Sequence, residues 1–164
     1  TTMAKTPKQH TAVGEDYLAA AKGGAVHRFP FPPSAVWAAL LDAKAWTEWL
    51  PITKVTWTSP QPFKVGTTRT VEVGPQMIEE TFFAWEEGKR MSFRFERSTL
   101  PVSAAVEDYQ VVEVPGGCEL RWKGGASAIW PLGGLITGQL AKGLTAGMPK
   151  LEAMIKADPA RFGL

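Results

Sequence analysis

The 164-residue chain has one cysteine, Cys118, two histidines, His10 and His27, and two tyrosines, Tyr17 and Tyr109. One cysteine excludes a disulfide framework within the chain and a cysteine-rich zinc site, and two histidines leave no histidine cage, so no metal site is expected. No apolar run approaches the roughly 18 residues of a membrane-spanning helix. No basic run exceeds a dipeptide, and 18 Lys+Arg against 16 Asp+Glu give a net charge of +2. That balance carries no electrostatic footprint for nucleic acid. Lys5 and Lys8 are followed by no apolar stretch, so a signal peptide is not expected there. Walker loop, dinucleotide fingerprint, zinc spacing and Gly-x-Ser-x-Gly elbow are all missing, and no cofactor is expected. These absences point to a soluble cytoplasmic protein, monomeric or homodimeric, without nucleic-acid partners or integral membrane contact.

Seven tryptophans and eight phenylalanines are what the chain has in excess. Hydrophobic residues at 45% and charged residues at 21% are ordinary globular values. A chain of this length buries about 70% of its unfolded surface and needs no staples. Residues 1–24 read as an arm, with a short helix from Glu15 to Lys22 ended by Gly23-Gly24. Ala25–Phe31 reads as a strand that Pro30, Pro32 and Pro33 terminate. Ser34 is a plausible helix N-cap, and Val36, Trp37, Leu40 and Leu41 follow at helical spacing. A second short helix covers Ala43–Leu50. Six strand signals come next: Ile52–Thr58, Gly66–Val73, Met77–Trp85, Arg90–Arg97, Ser103–Val114 and Cys118–Lys123. Turns of two to five residues make most of them antiparallel neighbours. From Pro131 an apolar stripe at spacings of three and four marks a helix of about 25 residues, with Pro149 expected to kink it. The class is α+β: a curved antiparallel sheet wrapped around one long C-terminal helix, with two short helices after the first strand.

Val36–Asp42, Trp46 and Trp49-Leu50-Pro51 resemble the start of the SRPBCC superfamily, the helix-grip fold of START domains, birch-pollen-allergen-like proteins and polyketide cyclase/dehydrase-type proteins. Val65-Gly66-Thr67-Thr68-Arg69, Glu80-Thr81-Phe82, Tyr109-Gln110-Val111, Gly116-Gly117, Leu120-Arg121-Trp122 and Lys150-Leu151-Glu152 extend the resemblance. It implies one helix-grip domain over residues 25–157, a tail at 158–164, and an apolar cavity between the long helix and the sheet. These motifs mark turns and packing and include no catalytic signature.

Strand alternation supplies the expected lining: Trp57, Val71, Phe93, Phe95, Tyr109, Val111, Leu120 and Trp122 from the sheet, and Leu135, Leu140 and Leu144 from the helix. Arg69, Glu107 and Tyr109 lie on apolar strand faces and are the catalytic candidates. A buried carboxylate there has a raised pKa and can act as acid or base. The directions of Glu79 and Glu80 stay open, because Met77, Phe83 and Trp85 make the opposite face of their strand equally apolar. Gly134, Gly138, Gly143 and Gly147 in the long helix each cost about 1 kcal/mol; ligand space and close packing are both open explanations. Cys118 lacks a neighbouring base and reads as a bystander, and His27 as a hydrogen-bonded structural residue. The leading function is binding or carriage of a hydrophobic small molecule, such as a lipid, polyketide or isoprenoid-like compound. The alternatives are a cyclase/dehydratase-type enzyme and an interaction module without ligand.

Overall fold

Gly74, Gly88 and Gly116 have φ of 56°, 79° and 85° in the computed structural model, which describes residues 5–164. Only glycine takes that conformation without strain, so each closes a hairpin and sets its flanking strands antiparallel. The chain forms β1 (Lys8–Gln9), α1 (Glu15–Ala19), β2 (Gly23–Phe29), α2 (Pro33–Leu41), α3 (Ala45–Trp49), β3 (Lys54–Trp57), β4 (Thr68–Val73), β5 (Gln76–Glu86), β6 (Arg90–Ser98), β7 (Ala104–Val114), β8 (Gly117–Ser127) and α4 (Leu132–Ala157), then a 3₁₀ turn, Pro159–Phe162. The antiparallel sheet runs β2-β8-β7-β6-β5-β4-β3, with β1 pairing on β6. This is the expected helix-grip architecture, with α4 laid against β8, β2 and α3.

Several local expectations need correction. Residues 1–4 of the expected arm lie outside the described residues. The rest is not loose: Lys8 and Gln9 pair with Ser98 and Arg97, Leu18 is buried, and Gly23-Gly24 open β2 instead of ending a helix. β1 takes the place beside β6 that β7 vacates, since β7 pairs with β6 only over Arg90–Arg94. Ser34 does not cap α2; the helix starts at Pro33, whose missing N–H is no loss at a first-turn position. Residues 158–164, the expected tail, pack against the domain. Phe162 is buried, and Arg161 donates to Asp42 at 3.0 Å and to Glu48 at 2.8 Å.

The core places Trp46, Trp49, Phe82, Phe93 and Phe95 on the concave side of the sheet with Met148, Leu151 and Ile155 of α4. α4 is unevenly anchored. Its fully buried residues are Leu144 at the helix midpoint and Gly147, Met148, Leu151 and Ile155 in the C-terminal half. Pro149 sits within that half, exposed, and the helix continues through it.

The glycines divide along the same line. A Cβ on Gly147 would stand 2.7 Å from the Trp49 carbonyl oxygen and 2.7 Å from Leu50 Cδ2, whereas Gly134, Gly138 and Gly143 have nothing within 4 Å. Close packing explains Gly147; open space surrounds the other three. Gly147→Ala should therefore destabilise the fold by about 1–3 kcal/mol through overpacking. Gly138→Ala should stabilise it by up to about 1 kcal/mol through helix propensity. Urea denaturation of the two variants measures both, and equal effects would contradict this division.

Candidate functional site

The N-terminal half of α4 roofs a cavity of about 330 Å³. Val71, Val73, Ile78, Phe93 and Phe95 form its floor, Leu50, Pro51 and Ile52 one wall, and Ile136, Leu140, Gly143 and Leu144 its roof. Gly143 faces this space with no side chain, so the roof stays open there.

Four polar side chains meet at the inner end. Cross-strand register sets Arg69 of β4 opposite Glu80 of β5, which in turn faces Phe95. Arg69 Nε donates to Glu80 Oε1 at 2.5 Å, and the two residues are 2% and 3% exposed. The guanidinium lies 4.5 Å from the Trp46 ring, 4.9 Å from Phe93, 5.2 Å from Trp57 and 5.3 Å from Phe82. An aromatic cage of this kind holds a cation by its ring faces. Arg69 Nη1 is buried and has no hydrogen-bond partner among the described residues. Beside the pair, Glu107 Oε1 accepts from Tyr109 Oη at 2.9 Å and from Trp122 Nε1 at 2.9 Å. The Trp122 ring reaches that position by lying across Gly23 and Gly124, where a Cβ would stand 3.1 Å and 2.4 Å from it.

Charge accounting follows from geometry. A guanidinium is permanently positive, and two carboxylates share its neighbourhood. Ionising both leaves an uncompensated buried negative charge. Burial, the largest influence, pushes Glu80 up to about 7; Arg69 opposes that rise and Glu107 adds to it. Burial likewise raises Glu107 above the usual carboxylate range and Tyr109 well above that of a phenol. The cluster thus holds one carboxyl proton up to about neutral pH, next to an apolar space.

The catalytic candidates Arg69, Glu107 and Tyr109 all border the cavity. Of the expected lining, Val71, Phe93, Phe95, Tyr109, Leu140 and Leu144 stand on its wall. Five do not. Trp57 lies behind Arg69, stacked on Phe63 at 4.1 Å, with its indole donating to the Leu41 carbonyl. Val111 and Leu120 are packed in the core, and Trp122 serves Glu107. Leu135 is 60% exposed, because the stripe of α4 turns inward only beyond it. Glu80 resolves inward and Glu79 outward, toward Arg97. The strand's two apolar faces come from a bulge: Phe82 pairs with Phe93 and Ala84 with Ser92, leaving Phe83 extra. The bulge reverses the alternation, so Phe82 and Trp85 join one aromatic cluster at 5.3 Å. Trp46, Ile52, Gln76, Leu100, Gln139 and Gly143 border the cavity without having been expected there. Of these, only Gly143 carried a sequence signal, as a costly helical glycine. Cys118 is buried, which pushes its thiol up to about 11, away from nucleophilic use. His27 is held by Glu152 at 3.0 Å, remote in sequence from the cluster.

The model of one family, described as polyketide cyclase / dehydrase and lipid transport, matches residues 22–156. The chain belongs to this family. It is similar to uncharacterized proteins of Mycobacterium tuberculosis and Mycobacterium bovis, 50% identical over 93 residues. That alignment covers 55% of this chain and 56% of theirs, so the chain matches about half the length of these curated relatives. Among solved structures, XoxI of Bacillus cereus aligns at a TM-score of 0.67 and 15% identity, over 84% of this chain and 96% of that one. Ara h 8.0201 aligns at 0.62 and 12%, over 82% and 97%. DynU16, from the dynemicin biosynthetic locus, aligns at 0.63 and 18%, over 82% and 46%. At these identities the likeness shows the helix-grip fold alone. Fold and family together place the chain in the SRPBCC superfamily.

The buried cluster has a consequence for stability. Glu80 binds its proton more tightly folded than unfolded, so its contribution is complete below 4.5 and is lost as pH rises toward about 7. Glu107→Gln removes the repulsion that helps raise Glu80 and keeps an acceptor for Tyr109 and Trp122. The difference in urea midpoint between Glu107→Gln and the parent should therefore grow, in favour of the variant, from pH 4.5 to about 7. A pH-independent difference would contradict the influence of Glu107 on Glu80.

Proposed function

We propose that this protein binds a small, largely apolar molecule bearing one hydrogen-bond acceptor, a carbonyl or a hydroxyl, with that acceptor against Arg69. The observation that carries the reading is Arg69, a guanidinium among the lining of a mostly apolar cavity, whose buried Nη1 has no hydrogen-bond partner among the described residues. A buried donor left unpaired costs about 1–3 kcal/mol, and a ligand acceptor removes that cost. About 330 Å³ lies at the lower end of ligand-pocket sizes. That favours a compact cyclic molecule, polyketide- or isoprenoid-like, over a long acyl chain.

A second reading has a specific observation behind it. Glu80 is held to about 7 beside the guanidinium, which is an acid–base group poised next to a carbonyl-polarising one. A cyclase/dehydratase-type reaction would use Arg69 to stabilise an enolate and the carboxyl pair to move the proton. Turnover of a bound ketone, lost in Glu80→Gln with binding retained, separates enzyme from carrier. The interaction-module alternative calls for a filled cavity, and the open roof at Gly143 counts against it.

Displacement of a polarity-sensitive naphthalene dye by acetylnaphthalene and by ethylnaphthalene tests the proposal, since the two competitors differ in one carbonyl. The ketone should bind about tenfold or more tighter, the worth of a charge-assisted hydrogen bond. Arg69→Met should erase that preference. Gly143→Leu, which fills the roof, should weaken both competitors about tenfold without unfolding the protein. Equal binding of ketone and hydrocarbon to the parent would overturn the role of Arg69. Indifference to Gly143→Leu would overturn the cavity as the site.

A further inference from the structure

The connection from β8 to α4 is the most apolar exposed part of the molecule. Ile129 is 84% exposed and Trp130 89%, and Leu132 and Leu135 on the first turns of α4 join them at 39% and 60%. Leu132 and Leu135, three residues apart, share a face of the helix. Single exposed apolar residues are ordinary; four within seven residues of chain, led by a tryptophan, mark an interaction surface.

The surroundings select the occupant. Residues 5–14, 97–106 and 123–142, the segments around this end of the molecule, contain no aspartate or glutamate. Lys5 and Lys8, both exposed, border the same hollow as Ile129 and Leu132. Exposed Lys142 follows Leu135 by two helical turns on the same face. The next carboxylates along the flanking strands, Glu79 and Glu96, are paired with Arg97 and Arg94. A tryptophan-tipped apolar wedge flanked by Lys5, Lys8 and Lys142 matches an anionic lipid surface, whose headgroups attract the lysines while the wedge enters the interface. Four side chains fall well short of the roughly 800 Å² per partner that a stable protein interface buries, which argues against a second copy. The wedge also adjoins the ligand site, since Leu100 borders both its hollow and the cavity.

We propose that residues 129–135, with Lys5, Lys8 and Lys142, dock the protein peripherally on anionic membranes beside the cavity. No described helix is long and apolar enough to cross a membrane, so the contact is interfacial. Docking is read without any cavity ligand, so it stands or falls separately from the function proposed above.

Co-sedimentation with phosphatidylcholine vesicles, with and without phosphatidylglycerol, tests it on the full chain. The parent should bind the anionic vesicles, less so as salt rises, and bind pure phosphatidylcholine weakly. Trp130→Glu should lower binding about tenfold or more, and Lys5→Glu with Lys8→Glu by a similar factor. Trp130 is almost wholly exposed, so its replacement leaves the fold intact. Absence of binding to anionic vesicles, or binding indifferent to Trp130→Glu, would overturn the proposal. A dimer in sedimentation velocity that Trp130→Glu dissolves would overturn it in favour of self-association.

Discussion

The buried guanidinium of Arg69 is the constraint around which the concave side is arranged. Removing a charge from water costs several kcal/mol even after relaxation, so every neighbour must return part of it. Glu80 does so directly, and the rings of Trp46, Trp57, Phe82 and Phe93 do so through their faces. Those rings come from α3, β3, β5 and β6. Each of their placements is in turn fixed by other bonds: Trp46 donates to the Leu40 carbonyl at 2.9 Å and Trp57 to that of Leu41 at 3.1 Å. The end of α2 is thereby tied to the side chains that shelter the charge. Sheet register, helix placement and cavity polarity are consequences of one arrangement.

Glu107 makes the arrangement chemically distinctive. One carboxylate would have neutralised Arg69. Burial holds a proton on the cluster and the second carboxylate strengthens that hold, while the donors Tyr109 and Trp122 keep Glu107 as an acceptor. Trp122 can approach only because Gly23 and Gly124 leave room for its ring. A pair of glycines in neighbouring strands, costly for the strands themselves, thus reaches the electrostatics of the site.

Much of this was legible from the residues. Period-two alternation put Arg69, Glu107 and Tyr109 on one face, and the motifs from Val36 to Pro51 marked the helix-grip. Legibility failed where alternation failed. Glu80 could not be assigned because the bulge at Phe83 makes both faces of β5 apolar, and a bulge leaves no mark in hydrophobic periodicity. Trp57 and Trp122 have the right parity but sit behind the polar groups they support. Leu135 belongs to a continuous apolar stripe whose first turns leave the sheet, a tertiary fact that helical spacing cannot carry. The strap of β1 on β6 was hidden because two residues give no pattern.

The split character of α4 connects the cavity to the rest of the fold. From Leu144 onward the helix is part of the core, and Gly147 seats it directly on Trp49. Before Leu144 it contributes no buried residue: Ile136 and Leu140 are half-buried over the cavity. Filling that space with an apolar ring would bury the same side chains more fully, and each apolar Å² removed from water is worth about 25 cal/mol. The orphaned Nη1 adds a polar gain of the same sign. A ligand of the proposed kind would satisfy both deficits at once and stabilise the folded state by mass action. The C-terminal half already holds the fold, so the N-terminal half of α4 is free to be shaped by what lies beneath it.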